Sequence, residues 1–218
     1  MPSIVHLAEL SNAIYQDHPQ VVVRTKSACE LWTRAEPSHR TRFGYLAAVH
    51  QLSPDERVIS FCGSDDAFDF LVDDVSILAG NPPPQLVNAV NSVMKWATPK
   101  TILTGHSLGG ALAILAAAKF SLPAVSFNAP RVMAECLKVA FATASPTMAG
   151  QCVASQKIIN IRVGGDPVSS LLTTGSQTGE VRRISGKQCG INLKCRHSMT
   201  TVLEQVRTVN ANYDPIQI

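Results

Sequence analysis

The spacing of apolar residues changes character along the chain. Ile4, Leu7, Leu10 and Ile14 recur at three- and four-residue intervals after Ser3, which predicts an N-terminal helix with Ser3 at its cap. Val21 to Val23 begin an extended run. Phe43 to Leu52 and Arg57 to Phe61 then flank the turn-rich Ser53-Pro54-Asp55-Glu56, the pattern of an antiparallel hairpin. From about Pro84 the chain alternates between the two periods. Leu86, Val87, Val90, Val93, Met94 and Ala97 mark a helix face; Lys100 to Thr104 is a short strand ending at Gly105; and Leu108 to Phe120 is an apolar helix. A strand from Ala124 to Phe127, a helix from Val132 to Ala142, a strand from Lys157 to Val163 and a helix after His197 complete the series. The expected fold is α/β: a mostly parallel central sheet with an antiparallel N-terminal part and helices on both faces.

No internal repeat, low-complexity tract or long Pro/Gly/Ser linker divides the chain, so residues 1–218 are expected to form a single domain. With 218 residues, 45% of them hydrophobic, the chain can fill one sizeable core. A formal charge of +3, with the basic residues scattered, is too small for a nucleic-acid footprint. Apolar stretches such as Ala111 to Ala118 fall short of the roughly 18 to 20 residues that span a bilayer, so an integral membrane protein is not expected. The N-terminal segment has no basic region, and Glu9 and Asn12 interrupt its apolar run. The expectation is a cytoplasmic protein, one exported without a leader, or one whose leader has been removed. None of the six cysteines (Cys29, Cys62, Cys136, Cys152, Cys189 and Cys195) forms a C-x-x-C pair, which argues against zinc; Cys189 and Cys195 bracket a loop short enough to close as a disulfide.

The candidate chemistry lies in TILTGHSLGGALAILAAA, a strand running into Gly105-His106-Ser107-Leu108-Gly109 and out into a helix. This is the G-x-S-x-G nucleophile elbow in its required strand-turn-helix setting. Ser107 must occupy a strained turn, and glycine two residues to either side lets the backbone pack where a Cβ would clash. The same turn aims the helix N-terminus at the reacting carbonyl, so the Leu108 N–H is a candidate oxyanion donor. In the chain order Ser, acid, His, only His197 follows Ser107 as a histidine, and the acids between them are Glu135, Asp166 and Glu180. Asp166 follows the strand IINIRV in the loop Gly164-Gly165-Asp166-Pro167, where a catalytic acid belongs. Glu135 falls inside an expected helix, and Glu180, which opens a strand, is the reserve. His106 is expected to pack or support rather than serve as a second base. The resulting chemistry is acyl transfer: His197 takes the Ser107 proton, Asp166 orients the imidazole, and water cleaves the acyl-enzyme, with no metal or cofactor required.

The segments ISFCGSDDAFDFLVDD, LTGHSLGGALA, SFNAPRV and INIRVGGDPVSSL, followed by His197, resemble the class 3 (fungal-lipase-like) lipases of the α/β-hydrolase superfamily. The resemblance orders residues 59–198 and implies hydrolysis of acylglycerols, phospholipids or, in some members, phenolic esters. It implies that Ser107, Asp166 and His197 are the triad and that Ser64, after Phe61-Cys62-Gly63, helps form the oxyanion hole. Asp69 and Asp74 match acids that are mostly structural. Cys62 stands where many members carry arginine, Asn128-Ala129 replaces a small pair, and Ser169 replaces a common proline. Related secreted lipases carry an amphipathic lid where this chain has VSILAGNPPP, so a rudimentary lid and weak interfacial activation are expected.

Arg182, Arg183, Lys187, Lys194 and Arg196 occur with no acid from Val181 to Arg196. That run reads as a solvated basic edge or, more sharply, as a contact for anionic headgroups. The expected function is a serine lipase or phospholipase acting on lipid esters at a membrane surface. A soluble-ester, feruloyl-type esterase and a non-catalytic binding module on the same fold are the alternatives.

Overall fold

The computed structural model describes residues 2–25, 28–42, 44–64, 83–132, 137, 158–170 and 177–209. Among them, nine strands join one sheet: β1 (Gln20–Arg24), β2 (Cys29–Arg34), β3 (His39–Arg40), β4 (Leu46–Ser53), β5 (Glu56–Phe61), β6 (Ile102–His106), β7 (Ala124–Phe127), β8 (Ile158–Val163) and β9 (Glu180–Ile184). Their order is β1-β2-β4-β5-β6-β7-β8-β9, with β3 paired to β4. Pairings from β1 to β5 are antiparallel and those from β5 to β9 are parallel. The predicted hairpin is β4-β5, with Ser53 opposite Glu56 across the turn. The described helices are α1 (Ile4–Ala13), α2 (Leu86–Trp96), α3 (Leu108–Phe120), α4 (Pro167–Ser170), α5 (Leu193–His197) and α6 (Met199–Val209).

Strand alternation divides the core in two, because successive side chains leave a strand on opposite faces. Ile59, Phe61, Leu103, Ala124 and Ile158 pack with α2 and α3 on one face. Val58, Ile102, Val125, Phe127, Ile159 and Ile161 pack with α1 and α6 on the other. Helices therefore cover both faces, as the mixed periodicity predicted. Helix α3 is buried at every position from Leu108 to Ala118. Its run of glycines and alanines gives it no polar face to turn outward and lets it lie close against the sheet.

The buried face of α2 differs from the predicted one. Leu86, Ala89, Ser92, Val93 and Trp96 point inward, whereas Val87 and Met94 are 67% and 70% exposed. Two stripes share helical spacing in this sequence, and tertiary contacts choose between them. Trp96 fills space in the core, and Ser92 gives the buried Tyr45 hydroxyl a hydrogen bond of 2.7 Å. The expected helix from Val132 to Ala142 falls mostly outside the described residues, as do Asp69, Asp74, Cys136, Cys152, Glu135 and the lid-equivalent segment.

Candidate active site

The elbow is built from close backbone contacts. A Cβ on Gly105 would lie 2.5 Å from the carbonyl of Gly109, and one on Gly109 would lie 2.1 Å from the carbonyl oxygen of Phe61. Only glycine at these positions lets β6 turn into α3 while α3 rests on the end of β5. Ser107 takes the strain of the turn, with φ 56° and ψ −130°. Its N–H donates to the Phe127 carbonyl of the neighbouring strand (3.0 Å), which fixes the turn against β7.

Asp166 lies just past β8, at the carboxyl edge of the parallel strands where open α/β sheets place their sites. It is fully buried and caps the short helix α4, which begins at Pro167. Its Oδ2 accepts the Ser169 N–H at 2.7 Å, leaving Oδ1 to accept from His197 Nδ1 at 2.8 Å. With Nδ1 carrying the proton, His197 Nε2 is left to accept from the Ser107 hydroxyl, 3.0 Å away. The three side chains singled out in the sequence thus form one continuous hydrogen-bonded chain. Glu180 is exposed and paired with Arg182 (2.7 Å), at the amino end of β9 and away from this chain; the pairing holds its carboxyl below the usual range.

Leu108 is the first residue of α3, so its N–H belongs to the unpaired amides at a helix N-terminus. Ser64 follows Gly63, where a Cβ would lie 2.8 Å from the His106 carbonyl oxygen and 3.2 Å from the Ser107 Cβ. The exit from β5 therefore runs against the elbow, and Ser64 lines the same cavity as His197.

Three supporting residues were not assigned a role by motif reading. Tyr15, in the turn after α1, donates from its hydroxyl to His106 Nδ1 at 2.8 Å, and His106 Nε2–H donates to the carbonyl oxygen of His197 at 2.6 Å. A carbonyl only accepts, so the proton of His106 is fixed on Nε2 and the Tyr15 hydroxyl must be the donor to Nδ1. Burial, followed by the neighbouring His197, pushes the His106 pKa down to about 3, which keeps the ring neutral. His106 is a supporting residue, as its position beside Ser107 suggested. Asn128, at φ 47°, accepts the Val163 N–H on Oδ1 (2.8 Å) and donates from Nδ2 to the carbonyls of Arg196 (3.0 Å) and His197 (3.2 Å). Arg196 reaches the carbonyls of Gly164 and Gly190. A polar Asn at the end of the apolar strand AVSF was a visible signal for Asn128; nothing local marked Tyr15.

A disulfide joins Cys189 and Cys195 and closes the turn that precedes His197. Cys29 and Cys62 lie outside that disulfide, exposed and buried respectively. Of the basic run, Arg182 is engaged by Glu180 and Arg196 by backbone carbonyls, while Arg183, Lys187 and Lys194 are exposed. Among the described residues no helix is long and apolar enough to cross a membrane, and no group of His, Cys, Asp and Glu side chains could hold a metal ion.

A mixed sheet whose parallel part carries an elbow serine at the end of β6, an acid after β8 and a histidine after β9 places the chain in the fungal-lipase-like class of α/β-hydrolases. The Phospholipase-like family, described as a Tle-like phospholipase domain, matches residues 6–211, and the chain belongs to it. It is a carboxylic-ester hydrolase. Among solved structures it is similar to the Lip2 lipase of Yarrowia lipolytica, with 16% identity, a TM-score of 0.50, and coverage of 82% of this chain and 76% of that one. A triacylglycerol lipase from Penicillium expansum shows 17% identity and a TM-score of 0.47, covering 83% of this chain and 77% of that one. No curated protein matches the sequence.

Proposed function

We infer that the protein hydrolyses acyl esters of phospholipids and partial glycerides, with Ser107 as nucleophile, His197 as general base and acid, and Asp166 as the group that orients His197. The observation that carries this reading is the unbroken chain from Ser107 Oγ to His197 Nε2 (3.0 Å) and from His197 Nδ1 to Asp166 Oδ1 (2.8 Å) at the elbow. Membership of a phospholipase-like family supports lipid as the substrate class.

His197 Nε2 removes the hydroxyl proton as Ser107 Oγ bonds to the ester carbonyl carbon. The carbonyl electrons move onto oxygen, where the Leu108 N–H at the positive end of α3 and Ser64 stabilise the oxyanion. The ester C–O bond then breaks, and His197 gives its proton to the departing alcohol. Water, deprotonated by the same imidazole, attacks the acyl-serine and releases the fatty acid. Asp166 accepts the hydrogen bond from His197 Nδ1 throughout and stabilises the imidazolium.

The test is fatty-acid release from phosphatidylglycerol-phosphatidylethanolamine vesicles by wild type and Ser107→Ala, with a short-chain soluble ester in parallel. Release from vesicles that vanishes in Ser107→Ala supports the reading. Cleavage of the soluble ester alone removes the lipid assignment, and equal release by both proteins removes Ser107 as nucleophile.

A further inference from the structure

A cavity of about 300 Å³ opens beside the Ser107–His197 pair. Its described walls are Asn12 and Tyr15 at the end of α1 and the turn after it, Ser64 beyond β5, His106 at the end of β6, and Met199 and Thr200 at the start of α6, with His197 beside them. We propose that this cavity is the subsite for the leaving alcohol, and that it takes a hydroxylated, glycerol-type alcohol through hydrogen bonds from Asn12 and Thr200. The proposal rests on the reading of Ser107 and His197 given above and adds the part of the substrate that this wall recognises.

Position and chemistry both point to the alcohol. Among the described residues the cavity is lined by His197 but not by Ser107, Asp166 or α3. The substrate group that must touch His197 is the ester oxygen that receives its proton, together with the alcohol attached to it. The walls also carry the amide of Asn12 and the hydroxyls of Ser64 and Thr200. Among the described residues, no hydrogen bond engages the side chains of Asn12 and Thr200, and both are exposed. A fatty acyl chain placed there would strip water from these groups and return no hydrogen bond, whereas the hydroxyls of a polyol replace that water. The volume lies at the low end of the range for small-molecule sites. Among the described residues no Lys, Arg, Asp or Glu lines the cavity, and with that lining the subsite reads the polyol and is indifferent to the charge of whatever the polyol carries.

The readout is the ratio of kcat/KM for a short-chain monoacylglycerol to that for the ethyl ester of the same acid, measured in wild type, Asn12→Leu, Thr200→Val and Val87→Thr. Asn12 and Thr200 lie at the surface and Val87 on the exposed side of α2, so all three variants are expected to fold. A lost hydrogen bond worth about 1 kcal/mol lowers the ratio about fivefold in each of the first two variants and leaves it unchanged in Val87→Thr. An unchanged ratio in Asn12→Leu and Thr200→Val, with both esters still turned over, overturns the subsite. Turnover of the ethyl ester by wild type and not by Ser107→Ala shows that the underlying reading still stands in that case. Absence of any ester turnover by wild type overturns both. Lysophosphatidylcholine and lysophosphatidylglycerol should lose rate equally in Asn12→Leu, and unequal losses overturn the charge-indifferent form of the proposal.

Discussion

Reduction of the Cys189–Cys195 disulfide should lower stability while leaving the folded enzyme largely active. The bridge spans a sequence separation of 6 and closes the turn that delivers His197. Loop-closure entropy for a ring of that size gives about 2 kcal/mol of stabilisation through the unfolded chain. In a protein of this length that corresponds to a fall in Tm of about 4–8 °C. Activity well below the melting range is governed by different contacts. The His197 carbonyl is held by His106 and Asn128, the Arg196 guanidinium holds Gly164 and Gly190, and Asn192 caps α5 through the Cys195 N–H at 3.0 Å. These persist when the sulfurs part, so kcat at 20 °C should fall by less than about tenfold, the factor that 1.4 kcal/mol of barrier represents. The assay pairs thermal unfolding by circular dichroism with hydrolysis of a soluble ester, for the oxidised protein, the dithiothreitol-treated protein and Cys189→Ser/Cys195→Ser. A Tm that does not move would show that the bridge does not restrain the unfolded chain as reasoned. Loss of more than a hundredfold in kcat from a protein that remains folded would show that the non-covalent ties do not hold His197 alone.

Asp166→Asn should reduce kcat by about 10⁴ with little change in KM, because an amide at Oδ1 turns the imidazole to the wrong tautomer; a loss below tenfold in steady-state kinetics would remove Asp166 from its role. Gly109→Ala should destabilise by about 1–3 kcal/mol or more, since its Cβ meets the backbone oxygen of Phe61 and that strand end cannot swing aside as a side chain could; denaturant unfolding reads this directly. His106 makes the fold acid-sensitive. Its folded pKa of about 3 lies below the ordinary 6.5, so the unfolded chain binds the extra proton, and its contribution is complete above pH 6.5 and is lost as pH falls toward 3. The slope contributed is at most about 1.4 kcal/mol per pH unit. Burial depresses His6 and His50 as well, adding in the same direction, so the diagnostic is a shallower stability–pH curve for His106→Gln than for wild type, and identical curves would refute it.

The parts of the structure legible in the sequence are those whose cause is local. Leu108 to Phe120 forms a helix over those same residues because the elbow glycines begin it and an unbroken apolar run continues it. Asp166 was reachable by elimination because it combines a strand end with a proline that starts α4, and the same carboxylate caps that helix. The face of α2 was not legible, since Val87 and Met94 have the same spacing as the stripe that is buried. The choice depends on Tyr45 and on the core around Trp96, more than 40 residues away from one another in the Tyr45–Ser92 pair. Arg196 in the basic run is a similar case: its charge was visible, but the carbonyls of Gly164 and Gly190 that engage it were not.

The same reason explains why the backbone contacts that hold His197 escaped motif reading, although His106 was expected to be a supporting residue. Its side chain is addressed by Asp166 and Ser107, residue types with a recognisable order along the chain. Its position is set through its backbone carbonyl, which accepts from His106, 91 residues away, and from Asn128, 69 residues away. Every residue carries that carbonyl, so no residue type at position 197 announces the acceptor, and the donors can be recognised only once β6, β7 and α5 are brought together. His106 is adjacent to Ser107, so the elbow that positions Ser107 also carries the ring that holds the backbone of His197, the proposed base. A change in the turn would therefore displace both ends of the 3.0 Å contact on which the proposed proton transfer depends.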